Sequence, residues 1–77
     1  MDRELFCKRL SQLRINKGVS ARDMSLSIGQ SPNYINVIES GKNYPSMDAF
    51  FYFCDYFGIT PKDFFDMEST AAAKITE

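Results

Sequence analysis

Four glycines divide the chain into short segments, and their spacing constrains the fold more than any other feature. They are Gly18, Gly29, Gly41 and Gly58. Within the segments that they bound, apolar residues recur at spacings of three and four, the period of a helix with one buried face. Glycine readily takes the left-handed conformation that ends many α-helices, so each glycine marks a predicted helix end. The spacing therefore predicts an all-α domain of short helices.

Hydroxyl residues stand at four of the predicted helix starts, where a side-chain oxygen can accept a hydrogen bond from a free backbone amide. These predicted caps are Ser20, Ser31, Ser46 and Thr60. Pro32 and Pro61 follow at the first helical position, where a missing N–H has no cost. Asp23, three residues after Ser20, predicts an approximate capping box. The five predicted helices span about residues 2–17, 21–28, 32–40, 47–57 and 61–65.

The inward faces of these helices carry the large apolar residues that a chain of 77 residues needs for an efficient core. The predicted core residues are Phe6, Leu10, Leu13, Met24, Ile28, Ile35, Ile38, Met47, Phe50, Phe53, Cys54 and Phe57. Cys7 and Cys54 both fall in apolar helical patterns, and we interpret them as buried, reduced thiols. A disulfide or redox switch is the less favoured alternative, since cytosolic thiols are normally kept reduced.

Charge is distributed unevenly along the chain, although its net value is only −1. Residues 1–45 hold seven Lys or Arg and four Asp or Glu, a net charge of +3. Residues 46–77 hold two basic and six acidic residues, a net charge of −4. An asymmetric domain of this kind can present a basic face to phosphate while its opposite face stays acidic.

Several classes of function find no support in the sequence. There is no histidine, and no paired carboxylates, phosphate-binding glycine loop or metal-ligand set is evident, so we expect no enzyme activity, metal, cofactor or small-molecule ligand. No apolar stretch approaches the roughly 18 residues of a membrane span. The first residues lack a basic region followed by an apolar one. We therefore expect a cytoplasmic protein without a membrane partner.

The second and third predicted helices are separated only by Gly29-Gln30-Ser31, which is the spacing of a helix-turn-helix. Tight turns occur in many helical bundles, so this spacing alone is a weak indication, and the surrounding residues are more specific. They are Leu13-Arg14, Gly18-Val19-Ser20, Ser31, Tyr34-Ile35, Ile38-Glu39, Gly41-Lys42, Pro45-Ser46, Phe57-Gly58-Ile59-Thr60 and Phe64-Phe65. With these residues, the chain resembles the Cro/repressor (Xre-like) family of transcriptional regulators over about residues 6–65.

The resemblance implies a compact five-helix repressor-like domain that binds duplex DNA in the major groove with its third helix. It also implies a structural ion pair between Arg14 and Glu39 that holds this helix against the first. Two positions depart from the family pattern. Many members carry Gln where this chain has Ala21, and Arg, Lys or Gln where it has Val37.

If the third helix reads DNA, its outward side carries the base contacts. With Ile35 and Ile38 facing inward, the 100° step per residue places Asn33, Asn36 and Val37 outward, and Pro32 at the leading tip. Asn can form a bidentate contact with adenine, and Val37 can pack against a thymine methyl group. The predicted base-reading residues are therefore Pro32, Asn33, Asn36 and Val37. A merely solvated helix face is the alternative interpretation.

Phosphate contacts are expected at the starts of the second and third helices, where free amides favour anions. Ser20 and Ser31 mark these starts, and polar residues flank them. The resemblance adds Arg14 and Ser40. The complete predicted set of phosphate contacts is Arg14, Lys17, Ser20, Arg22, Ser31, Tyr34, Ser40, Lys42 and Asn43.

The fourth predicted helix carries more aromatic rings than the core needs. Phe51, Tyr52 and Tyr56 are in excess, and an exposed aromatic cluster usually marks an interface. We therefore expect a homodimer, as the resemblance also implies. The alternative is that the tail folds back over these rings.

We expect a helix-turn-helix domain over residues 1–66 and a tail over residues 67–77 that is partly helical at Ala71–Ala73.

A protein-interaction module that keeps the repressor fold without reading DNA is the rival function, because one fold hosts many functions. The acidic overall balance, Ala21 and Val37 favour this rival. The basic N-terminal half, Asn33 with Asn36, and Lys42 favour DNA.

Overall fold

A computed structural model describes residues 2–66 of the chain, and within this range the backbone forms five α-helices. They are α1 (Arg3–Lys17), α2 (Ala21–Ser27), α3 (Tyr34–Glu39), α4 (Met47–Phe57) and α5 (Pro61–Phe65). No strand occurs in the described residues, so the predicted all-α class is confirmed. The predicted tail, residues 67–77, lies outside them. Within the same range, no helix is long and apolar enough to cross a membrane.

Local chemistry fixes most helix ends where the sequence predicts them. The side chains of Asp2, Ser20, Ser46 and Thr60 each accept a hydrogen bond from a backbone amide in the first turn of the helix that follows. The full reciprocal capping box is formed by Thr60 and Asp63 at α5. Gly18 and Gly58 end α1 and α4 with φ of 81° and 70°, a backbone region that glycine enters without the steric penalty of a Cβ atom.

The predicted start of α3 is wrong by two residues. Pro32 and Asn33 form a turn in which the Tyr34 amide donates to the Ser31 carbonyl at 3.1 Å, and the helix begins at Tyr34. Ser31 is therefore not the cap. The reason is that the Ile35 amide donates instead to the side chain of Ser25, in the preceding helix, at 2.9 Å. Ser25, a residue of another helix, thus takes the place of Ser31 as the cap.

The core is formed by one or more faces of every helix. Leu10, Met24, Ile35, Phe53 and Phe64 are fully buried. The Phe64 ring lies between two others, with its centroid 5.2 Å from that of Phe6 and 5.1 Å from that of Phe50. Cys7 and Cys54 are buried free thiols, as predicted.

Met47 is a wrong core prediction, because 64% of its surface is exposed. As the first residue of α4 it lies beyond the edge of the core and lines an open groove with Tyr44 and Phe65. The buried face of α4 instead includes Ala49, together with Phe50, Phe53 and Cys54.

One buried charge anchors the last helix. Arg9 is 7% exposed and its guanidinium donates to the Phe64 carbonyl at 2.6 Å and to the Asp63 carbonyl at 2.8 Å. Carbonyls at a helix C-terminus carry partial negative charge, so they are suitable partners for a cation. Arg9 thereby fastens α5 to α1, a role that the sequence interpretation missed.

Candidate nucleic-acid interface

The helix-turn-helix consists of α2 and α3, which pack against each other, joined by residues 28–33. Ile35 and Ile38 are 0% and 2% exposed and face the core. Asn33 and Asn36 are exposed, and Val37 is half-buried. Because α3 has only six residues, its own hydrogen bonds contribute little stability and its placement depends on contacts with other helices.

Ser25 supplies the first of these contacts. It is fully buried in α2, its hydroxyl donates to the Ala21 carbonyl at 2.7 Å, and its oxygen accepts the Ile35 amide. A side chain of α2 therefore caps α3. Sequence reasoning missed Ser25, because the Ile35 amide that it accepts lies in another helix.

The ion pair between Arg14 and Glu39 supplies the second contact. Nε of Arg14 lies 2.8 Å from Oε2 of Glu39, and its second terminal nitrogen donates to Oε1 at 3.2 Å. The remaining terminal nitrogen donates to the Val19 carbonyl at 2.9 Å. The two side chains are only 17% and 12% exposed. The hydrogen bond to Glu39 raises the pKa of Arg14 and the carboxylate charge adds to the rise, while burial opposes it. This bidentate pair links the end of α3 to α1.

Two further side chains of α1 hold the end of α3. The Cys7 thiol donates to the Ile38 carbonyl at 3.2 Å, and the Arg3 guanidinium donates to the Gly41 carbonyl at 2.8 Å. The same guanidinium lies 4.4 Å from the centre of the Tyr44 ring. Together with Arg14, these residues fix α3 at its C-terminal end while Ser25 fixes its start.

The exposed face of α3 is uncharged, and two of its side chains are joined by a hydrogen bond. Nδ2 of Asn36 donates to Oδ1 of Asn33 at 3.2 Å. Pro32 is exposed in the turn that precedes the helix. The four candidate base-reading residues thus lie at the start and on the outer side of one helix.

Among the candidate phosphate contacts, four side chains are exposed and unpaired. These are Arg22 in α2, Ser31 in the turn, and Lys42 and Asn43 after α3, which make no side-chain hydrogen bond or ion pair within residues 2–66. The Ser20 oxygen accepts the Asp23 amide at 3.0 Å, which leaves its hydroxyl proton available.

The other candidate phosphate contacts are already engaged within the chain. The charge of Arg14 is balanced by Glu39. The Lys17 ammonium lies 4.9 Å from the centre of the Tyr56 ring. Ser40 donates its hydroxyl proton to the Val37 carbonyl at 2.8 Å.

Tyr34 is half-buried, packed edge-on against a core ring, and burial raises its pKa. Its phenol therefore stays protonated and remains a hydrogen-bond donor at neutral pH.

The surplus aromatic residues of α4 divide into two groups. Phe51 and Tyr52 are 46% and 58% exposed, as a candidate interface requires. Tyr56 is half-buried against the core and packs edge-on against Phe57, with a centroid distance of 5.4 Å. Sequence reasoning missed Tyr44, which is 54% exposed and lines an open groove with Met47 and Phe65.

Comparison with known families agrees with this geometry. The family described as a helix-turn-helix domain matches residues 7–69, well over half of the chain. The chain therefore belongs to the helix-turn-helix domain family, and this membership suggests DNA as its partner. Neither a curated protein nor a solved structure matches the chain.

Proposed function

We propose that this domain is a sequence-specific transcriptional regulator of the Cro/repressor (Xre-like) type, which reads the major groove of duplex DNA with α3. One observation carries the proposal. Helix α3 buries Ile35 and Ile38 almost completely and presents Asn33 and Asn36 outward as a hydrogen-bonded pair. A helix fixed in this way can enter a major groove without rearrangement.

In the proposed complex, the start of α3 faces the base edges. Asn36 contacts an adenine, Val37 packs against a thymine methyl group, and Pro32 and Asn33 lie at the leading tip. The phosphates on either side are contacted by α2, the turn and the loop after α3. The proposed phosphate contacts are Arg22, Lys42 and Asn43, assisted by Ser20, Ser31 and Tyr34, with Lys17, Arg14 and Ser40 at the margin.

The charges on this surface set the expected strength of binding. Within the described range, Arg22 and Lys42 are exposed and have neither an ion-pair nor an aromatic partner, whereas the exposed Lys17 lies against the Tyr56 ring. Since each neutralised phosphate steepens the dependence of affinity on salt, two to three such contacts give a shallow slope. Specificity then depends on hydrogen bonds and methyl packing more than on charge.

We further propose that the protein acts as a homodimer through Phe51 and Tyr52, with Tyr56 at the margin. A two-fold dimer presents two copies of α3 to half-sites about 34 Å apart, one turn of duplex DNA. Sedimentation equilibrium of the full chain at micromolar concentration tests this. We expect a dimer for the wild type and a monomer for Tyr52→Asp, with unchanged helicity. A monomeric wild type contradicts the dimer.

Selection of bound sequences from a random duplex library, at low and moderate salt, tests DNA reading. The proposal predicts enrichment of one motif with A·T steps, and loss of the motif for Asn36→Ala. Lys62→Ala, a cation change in α5, is the matched control and retains the motif. If no duplex binds in a salt-sensitive manner, the domain is a protein-interaction module, as its uncharged α3 face would also suit. The proposed site of action is the cytoplasm.

A further inference from the structure

The two asparagines of α3 occupy different structural roles although they are the same residue type. Asn33 is the N-cap residue of α3 and Asn36 lies three positions later. Asparagine at an N-cap usually accepts an amide of the first turn through its side-chain oxygen. Here the side chain of Asn33 makes no such bond, and its Oδ1 accepts Nδ2 of Asn36 instead.

Ser25 explains why Asn33 is free to do this. The Ile35 amide, which a capping Asn33 would accept, already donates to the buried hydroxyl of Ser25. The first turn of α3 is therefore capped by a buried side chain of α2 and not by its own exposed N-cap residue. The amide oxygen of Asn33 lies at the exposed start of the helix and accepts Nδ2 of Asn36 instead of a backbone amide.

We infer that Asn33 is a positioning residue that orients the amide of Asn36 toward adenine, and that of the two asparagines only Asn36 contacts a base. This inference rests on the proposed function. An amide group has two N–H groups, of which only the one beside the oxygen can take part in a bidentate contact. When the other N–H is donated to Asn33, the oxygen and the remaining N–H stay together on one free edge.

That free edge matches one base. Adenine presents an N6–H donor and an N7 acceptor in the major groove, which pair with the oxygen and the N–H of Asn36. Guanine presents two acceptors there, so one of them would face the amide oxygen. The bond to Asn33 sets the face of the amide before DNA arrives, and preorganisation of this kind lowers the entropic cost of binding.

The first test uses the protein without DNA. In ¹H–¹⁵N spectra of the full chain, the two side-chain amide protons of Asn36 should differ in chemical shift more than those of Asn43, an exposed and unpaired asparagine. Asn33→Ala should remove this difference, whereas Asn33→Asp should keep it because a carboxylate still accepts the bond. Unchanged Asn36 signals in Asn33→Ala overturn the inference.

The second test measures affinity for the selected operator with Asn33→Ala, Asn36→Ala and the double variant. Asn36→Ala should weaken binding by about tenfold or more, the range of one good bidentate contact. Asn33→Ala should weaken binding severalfold, and should cause no further loss when Asn36 is already alanine. An equal loss in both backgrounds means that Asn33 contacts DNA itself and contradicts the inference.

A modified base identifies the contact. The operator adenine whose preference is lost in Asn36→Ala is replaced with 7-deazaadenine, which lacks the N7 acceptor. The wild type should lose affinity, Asn36→Ala should be insensitive, and Asn33→Asp should lose affinity as the wild type does. If Asn36→Ala loses the motif but Asn33→Ala leaves affinity unchanged, this inference fails and the proposed function stands. If the wild type selects no motif, both fail.

Discussion

The hydroxyl of Ser25 accepts the backbone amide of Ile35 at 2.9 Å, so a side chain of the first helix of the helix-turn-helix caps the second. The same hydroxyl donates to the Ala21 carbonyl one turn earlier. Ser25 and Ile35 are both fully buried. The turn between α2 and α3 is thereby closed by a hydrogen bond that water does not compete for.

Ser25→Ala is expected to lower the free energy of unfolding by about 1–3 kcal/mol, because it leaves the buried Ile35 amide without a partner. Thermal unfolding followed by circular dichroism measures the change. Ser27→Ala, in the same helix but exposed, is the control and should alter stability by less than about 0.5 kcal/mol. Equal stability of the two variants would show that the hydrogen bond contributes nothing.

Glu39→Ala is expected to lower the free energy of unfolding by about 3 kcal/mol, because Arg14 is left as an unpaired and largely buried charge. For a domain of this size the melting temperature should fall by roughly 12 °C or more. A fall of only one or two degrees contradicts the prediction.

The ion pair between Arg14 and Glu39 should be replaceable by two apolar side chains that pack against each other. Arg14→Met combined with Glu39→Leu removes both charges and should recover much of the stability lost in Glu39→Ala, since a well-packed apolar pair can match a buried ion pair. A double variant less stable than Glu39→Ala would indicate that Arg14 stabilises the fold chiefly through other contacts, such as the Val19 carbonyl.

Helix ends were predictable from the sequence where their chemistry is local. Ser46 and Gly58 lie at the ends of α4 in the structure as the sequence indicates, because each acts on backbone groups within a few residues. The start of α3 was not predictable in this way, since the partner of its Ile35 amide lies ten residues earlier. Local capping rules favoured Ser31 because they consider only residues next to the helix start, and Ser25 lies in the preceding helix.

In the candidate site as well, some features were predictable from the sequence and others were not. The resemblance indicated the contact between Arg14 and Glu39, and periodicity indicated that Asn36 lies outward. The role of Arg9 was missed because its partners in α5 are backbone carbonyls 54 and 55 positions away, which a pattern of side-chain types does not reveal. The hydrogen bond from Asn36 to Asn33 depends on the rotamers of both residues, and the sequence alone does not specify them.

Arg22→Ala and Lys42→Ala are each expected to reduce the slope of log affinity against log salt by about 1, since each removes one proposed phosphate contact. Lys17→Ala should reduce the slope less, because its ammonium lies against Tyr56. Titration of the selected operator at several salt concentrations measures all three slopes. Lys62→Ala is the control, and a reduction as large as that for Lys42→Ala would show that the cations act through net charge alone.

Stability should decline in mildly alkaline solution through Cys54. Burial raises the pKa of its thiol, and the charges of Asp55 and Asp63 raise it further. A thiol with a higher pKa in the folded than in the unfolded chain binds its proton more tightly when folded. Its contribution to stability is therefore complete below the unfolded thiol pKa of about 8.5 and is lost as the pH rises through the folded value.

Urea unfolding between about pH 7.5 and pH 9.5 measures this dependence, in a range below the ordinary pKa of tyrosine. The wild type should lose stability more steeply across this interval than Cys54→Ala, which has no thiol at this position. Cys54→Ala also leaves a small cavity, so the slopes are compared and not the absolute values. Parallel slopes for the two proteins would mean that Cys54 ionises equally well in the folded and the unfolded chain, contrary to its burial in the core.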